Sequence, residues 1–417
     1  MPDGKGWQSR NPRIRHGAAL NEVTRAAELA ARASYGRILS ILSARSGDIA
    51  LAEDSLAEAF ARALITWPKR GVPKNPDAWL MRVARNQITD RQRHMTRFPT
   101  EQELPDLPEQ NNQPTDYPDE RLALLMVCAH PAISPDLHTP MMLQTVLGLE
   151  AKTIAQLFMV SPTALAKRLV RAKQKIRSAG IAFQIPDPEF LPERSQAIYE
   201  AIYAVHAQDW LQPGDRLGDE ALYLADLLVK LMPDQPEAFG LSALVAFGHA
   251  RSNARIADGV LVPVEKQDVR FWDDQLLDYG IRQLRTARQF NSIGRFQLEA
   301  AIQSVHLDRK NTGTTNWGAL NKLYFALIKD NPSTGAMVAQ AVVTSHLHGA
   351  EAGLTALGQI ETDGSFQPLW AARAEFLNRQ GKNKIAKQAY EKAISLTTEM
   401  PLRRFLQAQM AALQKRN

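Results

Sequence analysis

The chain has 417 residues, two to three times the usual length of a domain, so we expect more than one folding unit. It carries 50 Lys and Arg against 44 Asp and Glu, a net charge of +6, and its single cysteine excludes a disulfide framework and a Cys-rich zinc site. No stretch approaches the roughly 20 apolar residues of a membrane span, and no signal-peptide pattern opens the chain, so we expect a cytoplasmic protein without a membrane partner.

The charge is unevenly distributed along the chain. Residues 1–180 hold 25 basic and 18 acidic side chains, whereas the remaining residues hold 25 and 26. Residues 97–120 are rich in Pro, Gln, Asn and carboxylates and predict a flexible acidic linker, because such a segment buries too little apolar surface to offset its ordering entropy. The asymmetry favours a first half that faces nucleic acid; a solvated basic surface is the alternative.

Helical periodicity dominates, and runs of β-branched residues with a period of two are nearly absent, which predicts an all-α fold. The first helical block spans residues 20–96. In it Gly47 ends one helix and Asp48 caps the next. That second helix is predicted to pack through an apolar stripe of residues spaced near the helical period. The stripe contains Ala52, Leu56, Phe60, Leu64 and Trp67.

A third helix of this block begins at the N-cap signal Asn75-Pro76-Asp77. Its apolar face carries Trp79, Leu80, Val83, Ala84 and Ile88. Its other faces carry Arg82, Arg85, Asn86, Arg91 and Arg93. The helix is therefore predicted to pack on one side and to present basic and amide side chains elsewhere.

The second block, residues 121–180, ends in a pattern typical of a helix-turn-helix. A short helix precedes a turn at Val160 and Ser161, and Pro162 begins the next helix. One face of that helix is apolar and consists of Leu165, Leu169, Ala172 and Ile176. The basic residues are Lys167, Arg168, Arg171 and Lys175. A short support helix beside such a helix is typical of major-groove binding, although a solvated basic helix gives the same pattern.

These residues resemble the sigma-70 family of bacterial transcription factors. Residues 48–60 are similar to the second conserved region of sigma factors, residues 79–91 to the helix that follows it, and residues 149–177 to the fourth region, which reads promoters. Two such domains joined by a short linker are typical of the extracytoplasmic-function (ECF) group. Gly71-Val72-Pro73 and Cys128-Ala129-His130-Pro131, together with the long helical extension, resemble the ECF subgroup with a C-terminal tetratricopeptide-like domain.

The resemblance implies core RNA polymerase and promoter DNA as partners. Asp54 and Glu58 would lie against the clamp coiled coil of the largest catalytic polymerase subunit. Asn86 would capture a flipped base of the −10 element. Phosphates near it would be held by Arg82, Arg85, Arg91 and Arg93. The −35 element would be contacted by Lys167, Arg168, Arg171 and Lys175.

Two positions depart from the subgroup's pattern. The common Gln of the clamp-binding stretch is Ala57 here, which removes one polar contact and keeps the acidic surface. The frequently doubled Cys before His130 is reduced to Cys128, and one Cys with one His offers at most two ligands where zinc takes three or four. We therefore expect no metal and no cofactor. The apolar run around Cys128 predicts a buried side chain rather than a reactive thiol.

Residues 186–417 are predicted to form a tetratricopeptide-like helical domain. One repeat unit is recognisable from its spacing of small and aromatic residues, namely Trp370, Ala374, Leu377, Gly381, Ala386, Tyr390 and Ala393. We hypothesise that this half regulates the sigma unit in cis, by shielding it or by helping it engage polymerase. The sequence does not indicate which unknown ligand or protein it binds.

The leading interpretation is an alternative sigma factor that directs promoter recognition, DNA melting and initiation. The alternative is a DNA-binding regulator with a tetratricopeptide sensor that does not act as a sigma subunit. An enzyme is disfavoured, because the sequence contains no phosphate-binding Gly-rich loop, nucleophile elbow or HExxH pair.

Overall fold

The structure is a computed structural model, and it describes residues 34–96, 120–158, 160–211 and 217–414. The predicted linker, apart from Glu120, lies outside the described residues. The chain forms two compact units that divide between Ala201 and Ile202. Both units are almost entirely helical, which confirms the predicted all-α fold class. None of the helices described has both the length and the apolar composition needed to cross a membrane.

The first unit contains seven described helices and the first half of an eighth. They are α1 (34–46), α2 (Ile49–Arg70), α3 (Pro76–Thr96), α4 (Arg121–Cys128), α5 (Pro135–Leu147), α6 (Ala151–Leu157), α7 (Pro162–Ser178) and α8 (Leu191–Leu211). Local signals set several of their ends. Asp48 accepts a hydrogen bond from Leu51 N at 3.1 Å, Asn75 Oδ1 accepts one from Ala78 N at 3.0 Å, and Ser161 Oγ accepts one from Ala164 N at 3.4 Å. All three predicted caps are therefore confirmed.

Helices α1, α2 and α3 share one apolar core. Its largest side chain is Trp67, which is 2% exposed and contacts Trp79 edge to face with 5.6 Å between ring centroids. The predicted stripe is wrong at Leu64, whose side chain is 50% exposed. Each step of four residues rotates about 40° around the helix, so three steps carry Leu64 about 120° away from Ala52. The buried face instead runs through Ala52, Leu56, Ala59, Ala63 and Trp67.

The second unit consists of helices that pack mostly against their neighbours in the chain. After the rest of α8 it contains α9 (Leu217–Leu231), α10 (Pro236–Ala250), α11 (Asp274–Gln289), α12 (Arg295–Leu307), α13 (Arg309–Thr312), α14 (Trp317–Asp330), α15 (Thr334–His348), α16 (Ala350–Gly358), α17 (Gln367–Arg379), α18 (Asn383–Ser395) and α19 (Met400–Gln414). A short hairpin of β1 (Ile256–Ala257) and β2 (Val260–Leu261) interrupts them, with 3₁₀ turns at Ser252–Ala254, Val264–Lys266 and Val269–Phe271.

The helices α10 and α12 approach closely at Gly240. A Cβ added there would lie 2.7 Å from the backbone nitrogen of Gln297, so alanine would push the two helices apart. We expect Gly240→Ala to lower the free energy of unfolding of the second unit by about 1–3 kcal/mol. Gly318→Ala in α14 is the matched control, because its Cβ would meet nothing closer than 3.6 Å and alanine favours the helix. Chemical denaturation of both variants measures this, and equal stability would contradict the close approach.

Candidate nucleic-acid interface

One face of α3 carries three of the residues assigned to DNA. Arg82, Arg85 and Asn86 are spaced three and four residues apart, so they lie on the same side of the helix. Arg85 is exposed, while Arg82 and Asn86 are half-buried. The opposite side of α3 is anchored in the core through Leu80 and Ala84. The structure thus brings the amide and two guanidinium groups together on a rigid surface.

The other two arginines assigned to DNA, Arg91 and Arg93, do not belong to this described face of α3. Arg91 lies near the helix end, and its Nη1 forms an exposed ion pair with Asp54 Oδ2 of α2 at 3.2 Å. Arg91 points about 180° around the helix axis from Arg82. The side chain of Arg93 lies outside the described residues. An exposed pair of this kind contributes at most about 1 kcal/mol, so Arg91 can exchange Asp54 for another anion.

The acidic side chains of α2 form an exposed pair of carboxylates one turn apart. Asp54 and Glu58 are separated by four residues and point away from the buried face of α2. Glu58 Oε1 accepts from Arg62 Nε at 3.3 Å, a pair within the same helix. Among the described residues, each carboxylate has one exposed ion pair, which leaves it accessible to a basic partner.

Helix α7 separates an apolar face from a basic one. Leu165, Leu169, Ala172 and Ile176 are buried, as predicted. The four cations assigned to DNA, Lys167, Arg168, Arg171 and Lys175, are all exposed. The short helix α6 precedes it and contributes the buried side chains of Ile154 and Ala155.

Two of these four cations contact other residues of the same unit. The Arg168 guanidinium donates to the carboxylate of Asp136 on α5, and Lys175 Nζ donates to the carbonyl of Ala132 at 2.6 Å. The hydrogen bonds from Arg168 and Ser134 lower the pKa of the Asp136 carboxyl. These contacts tie two cations of α7 to α5 and to the segment that precedes it.

Cys128 is fully buried, as predicted, at the end of α4. Its Sγ lies 3.4 Å from Thr145 Oγ1, and burial raises the pKa of the thiol to about 12. A thiol of that pKa is protonated at neutral pH and is a poor nucleophile. Within the described part of the chain, no three His, Cys, Asp or Glu side chains are grouped as metal ligands.

The comparisons with known proteins place the chain in a family. An uncharacterized protein of Rhizobium meliloti (strain 1021) is 33% identical over 377 residues, covering 86% of this chain and 89% of the Rhizobium protein. The chain belongs to the family of this Rhizobium protein. Residues 31–98 match sigma-70 region 2, and residues 194–288 match a family of unknown function (DUF6596). No solved structure matches the chain.

The region 2 match supports a sigma-70 family sigma factor with a C-terminal extension. It includes α1, α2 and α3, so the carboxylates of α2 and the polar face of α3 belong to one sigma-70 region 2 domain. Sigma-70 region 2 is a domain of non-enzymatic transcription initiation factors, and the match indicates a sigma-factor-like role in promoter recognition by RNA polymerase. The DUF6596 match starts within α8 and ends within α11.

The sequence interpretation missed a buried polar contact between region 2 and α7. Lys173 is 6% exposed, and its Nζ donates to Glu53 Oε2 of α2 at 2.5 Å and to Gln144 Oε1 of α5 at 2.6 Å. One turn later, Arg177 Nη1 lies 2.9 Å from Asp48 Oδ2. The available signal was the position of Lys173, four residues after Leu169 on the otherwise apolar face. A lysine on an apolar face indicates a buried carboxylate partner.

Proposed function

We propose that this chain is an alternative sigma factor of the ECF group, which binds core RNA polymerase and directs promoter recognition, DNA melting and initiation. One observation carries the proposal. Within a domain that matches sigma-70 region 2, an acidic helix face and a helix face with one amide and two arginines lie on adjacent helices. A sigma subunit needs both, because it binds polymerase and promoter DNA at the same time.

The acidic face is the proposed docking surface for the polymerase clamp. Asp54 and Glu58 are exposed, and a basic helix could replace the weak ion pairs that Arg91 and Arg62 make with them. Electrostatic complementarity of this kind increases the rate of association and fixes the register of the partners. Displacement of Arg91 from Asp54 would also free one cation of α3 for a DNA phosphate.

The polar face of α3 is the proposed site for the −10 element. The Asn86 amide has a donor and an acceptor, so it can pair with the edge of a base that has left the stack. Arg82 and Arg85 lie within one turn of it, where they can neutralise the phosphates beside the flipped nucleotide. The core below the helix holds these groups in place, so little ordering entropy is lost on binding.

Helices α6 and α7 are proposed as a helix-turn-helix for the −35 element. The apolar face of α7 packs into its own unit and its basic face is exposed, so this face can enter the major groove if Arg168 and Lys175 exchange their contacts with Asp136 and the Ala132 carbonyl for DNA. Recognition helices contact bases mainly through their first turns, so Lys167 and Arg168 are assigned to base readout. Arg171 and Lys175 lie further along the helix and are assigned to phosphates.

The salt dependence of promoter binding tests this assignment. For Arg171→Ala with Lys175→Ala, we expect the slope of log affinity against log salt to fall by up to about 2, since each lost phosphate contact removes about one released counterion. The measurement is binding of the complex with core polymerase to a promoter fragment over a salt series. Lys387→Ala, an exposed lysine of α18, is the matched control and should leave the slope unchanged. An unchanged slope in the double variant would contradict the assignment.

The second half is proposed to be tetratricopeptide-like and to regulate the sigma unit in cis. Helices α17 and α18 pack against each other, and the turn between them contains Gly381, where φ is +72°. The small residues Ala374, Ala386 and Ala393 are buried between them, beside Tyr390. Burial of these small residues beside Tyr390 supports the proposed tetratricopeptide-like unit, and repeats of this kind stack into a concave binding surface.

A further inference from the structure

We infer that the second unit contains a binding site for an extended acidic peptide, and that the chain's own insert between α10 and α11 occupies this site. The insert comprises residues 251–273 and contains the β1–β2 hairpin and three 3₁₀ turns. It contacts helices that lie far from it in the chain, through its backbone and through one carboxylate. A surface that holds a segment in this way can also hold a similar segment of a partner.

Two arginines from distant helices hold the insert by its backbone carbonyl groups. Arg309 Nη2 of α13 donates to the carbonyl oxygens of Val264 and Gln267, both at 2.9 Å. Helix α19 packs against β2, and its Arg404 Nη1 donates to the carbonyl oxygen of Gly259 at 3.4 Å. Every peptide carries carbonyl groups, so the two arginines can hold the backbone of a different segment in the same way.

Glu265 is the charged side chain by which this site can distinguish its occupants. It is exposed, and it acts electrostatically on residues of three further helices, which are His306 of α12, Tyr324 of α14 and His346 of α15. Burial lowers the pKa of His306 to about 4, the charge of Glu265 opposes that shift, and Arg309 adds to it. A carboxylate is therefore favoured at this place, whereas a neutral or basic side chain is not.

The centre of the insert can leave this surface while its ends stay in place. None of the side chains at residues 256–266 is buried, whereas Arg255 and Gln267 on either side are 1% and 3% exposed. The hairpin has two residues in each strand and turns at Asp258 and Gly259, both of which have positive φ. A hairpin this short has little stability of its own. Local opening of residues 256–266 therefore costs less free energy than unfolding of the buried ends.

The insert competes with any partner as an intramolecular ligand. A short tether corresponds to an effective concentration on the order of 1 mM, so a free peptide of similar sequence binds weakly to the unaltered chain. The apparent affinity of the peptide rises in proportion to the fraction of chains in which the insert is open. A change that loosens the insert without altering Arg309, His306 or His346 should therefore make an added peptide bind more tightly.

Fluorescence anisotropy of a labelled synthetic peptide with the sequence of residues 256–267 tests the site on the full chain. One variant is Gly259→Ala, because Gly259 has φ of +73° and a Cβ there would meet the Arg404 guanidinium, so alanine strains the turn and displaces it from α19. We expect this variant to bind the peptide about 5- to 30-fold more tightly than the unaltered chain. A second variant, in which an equal number of Gly and Ser residues replace residues 256–266, should bind it more tightly still.

Two controls separate the site from general effects of the substitutions. Gly364→Ala introduces similar backbone strain, at φ of +78°, but its Cβ would meet nothing within 4 Å, so this variant should bind the peptide as the unaltered chain does. A peptide with glutamine in place of the glutamate of position 265 should bind Gly259→Ala at least about 10-fold more weakly, because a charged hydrogen-bond acceptor is lost.

The two glycine variants decide the outcome even if the variant with the replaced insert does not fold. Equal affinity of Gly259→Ala and Gly364→Ala for the peptide overturns the inference, as does equal affinity of Gly259→Ala for the two peptides or the absence of binding by every form. The mixture contains neither polymerase nor DNA, so its result is independent of the proposed role in transcription.

Discussion

Replacing Asp54 and Glu58 together with lysine is expected to weaken binding to core RNA polymerase more than about 100-fold. Both carboxylates are exposed on one face of α2, and the proposed partner is a basic helix. Placing like charges at an interface costs several kcal/mol, and every 1.4 kcal/mol is a factor of ten in affinity. The side chains contribute nothing to the core, so the fold of region 2 should be retained.

A titration of labelled core polymerase with the purified chain measures this effect. The matched control is Asp234→Lys with Glu391→Lys, which makes the same change in net charge at exposed positions of the second half. If the control binds normally and the α2 variant does too, α2 is not the docking surface.

Asn86→Ala is expected to reduce promoter opening about 10- to 100-fold and to leave polymerase binding unchanged. A pair of hydrogen bonds to a base edge contributes about 1–3 kcal/mol of recognition, and the Asn86 amide offers both a donor and an acceptor for such a pair. Because Asn86 is half-buried on a helix whose opposite side is packed, its loss should not disturb the fold.

Fluorescence of a base analogue placed in the −10 element follows opening directly. Gln87→Ala is the matched control, because Gln87 carries the same amide but lies about 100° around the helix from Asn86. An equal loss of promoter opening in the two variants would assign the effect to helix stability rather than to base capture. Normal opening in both variants would show that Asn86 does not bind the −10 element.

Local features of the fold could be predicted because short-range chemistry determines them. The caps at Asp48, Asn75 and Ser161 depend on residues within three positions, and the burial of Cys128 follows from the apolar run around it. The error at Leu64 has an equally local cause, since spacing by four residues drifts around a helix whose true period is 3.6. Patterns therefore determine which helices form and, within about a turn, which faces pack.

Contacts between distant segments could not be predicted from these patterns. Glu53 and Lys173 are separated by 120 residues, and nothing in either local sequence specifies the other as partner. Likewise the family resemblance assigns Asp54 to polymerase and Arg91 to DNA, and the structure pairs them with each other. Such pairings follow from how packed helices are placed in space, which single-sequence periodicity does not encode.

Transcription reconstituted from purified components tests the central claim most directly. Core RNA polymerase would be incubated with fragmented genomic DNA with and without the chain, and the 5′ ends of the transcripts would be sequenced. We predict that the chain co-purifies with core polymerase and directs initiation at discrete positions that share two sequence elements, and that Asn86→Ala strongly reduces initiation at these positions. A chain that binds DNA but neither associates with core polymerase nor changes the positions of initiation would contradict the account and would identify a DNA-binding regulator instead.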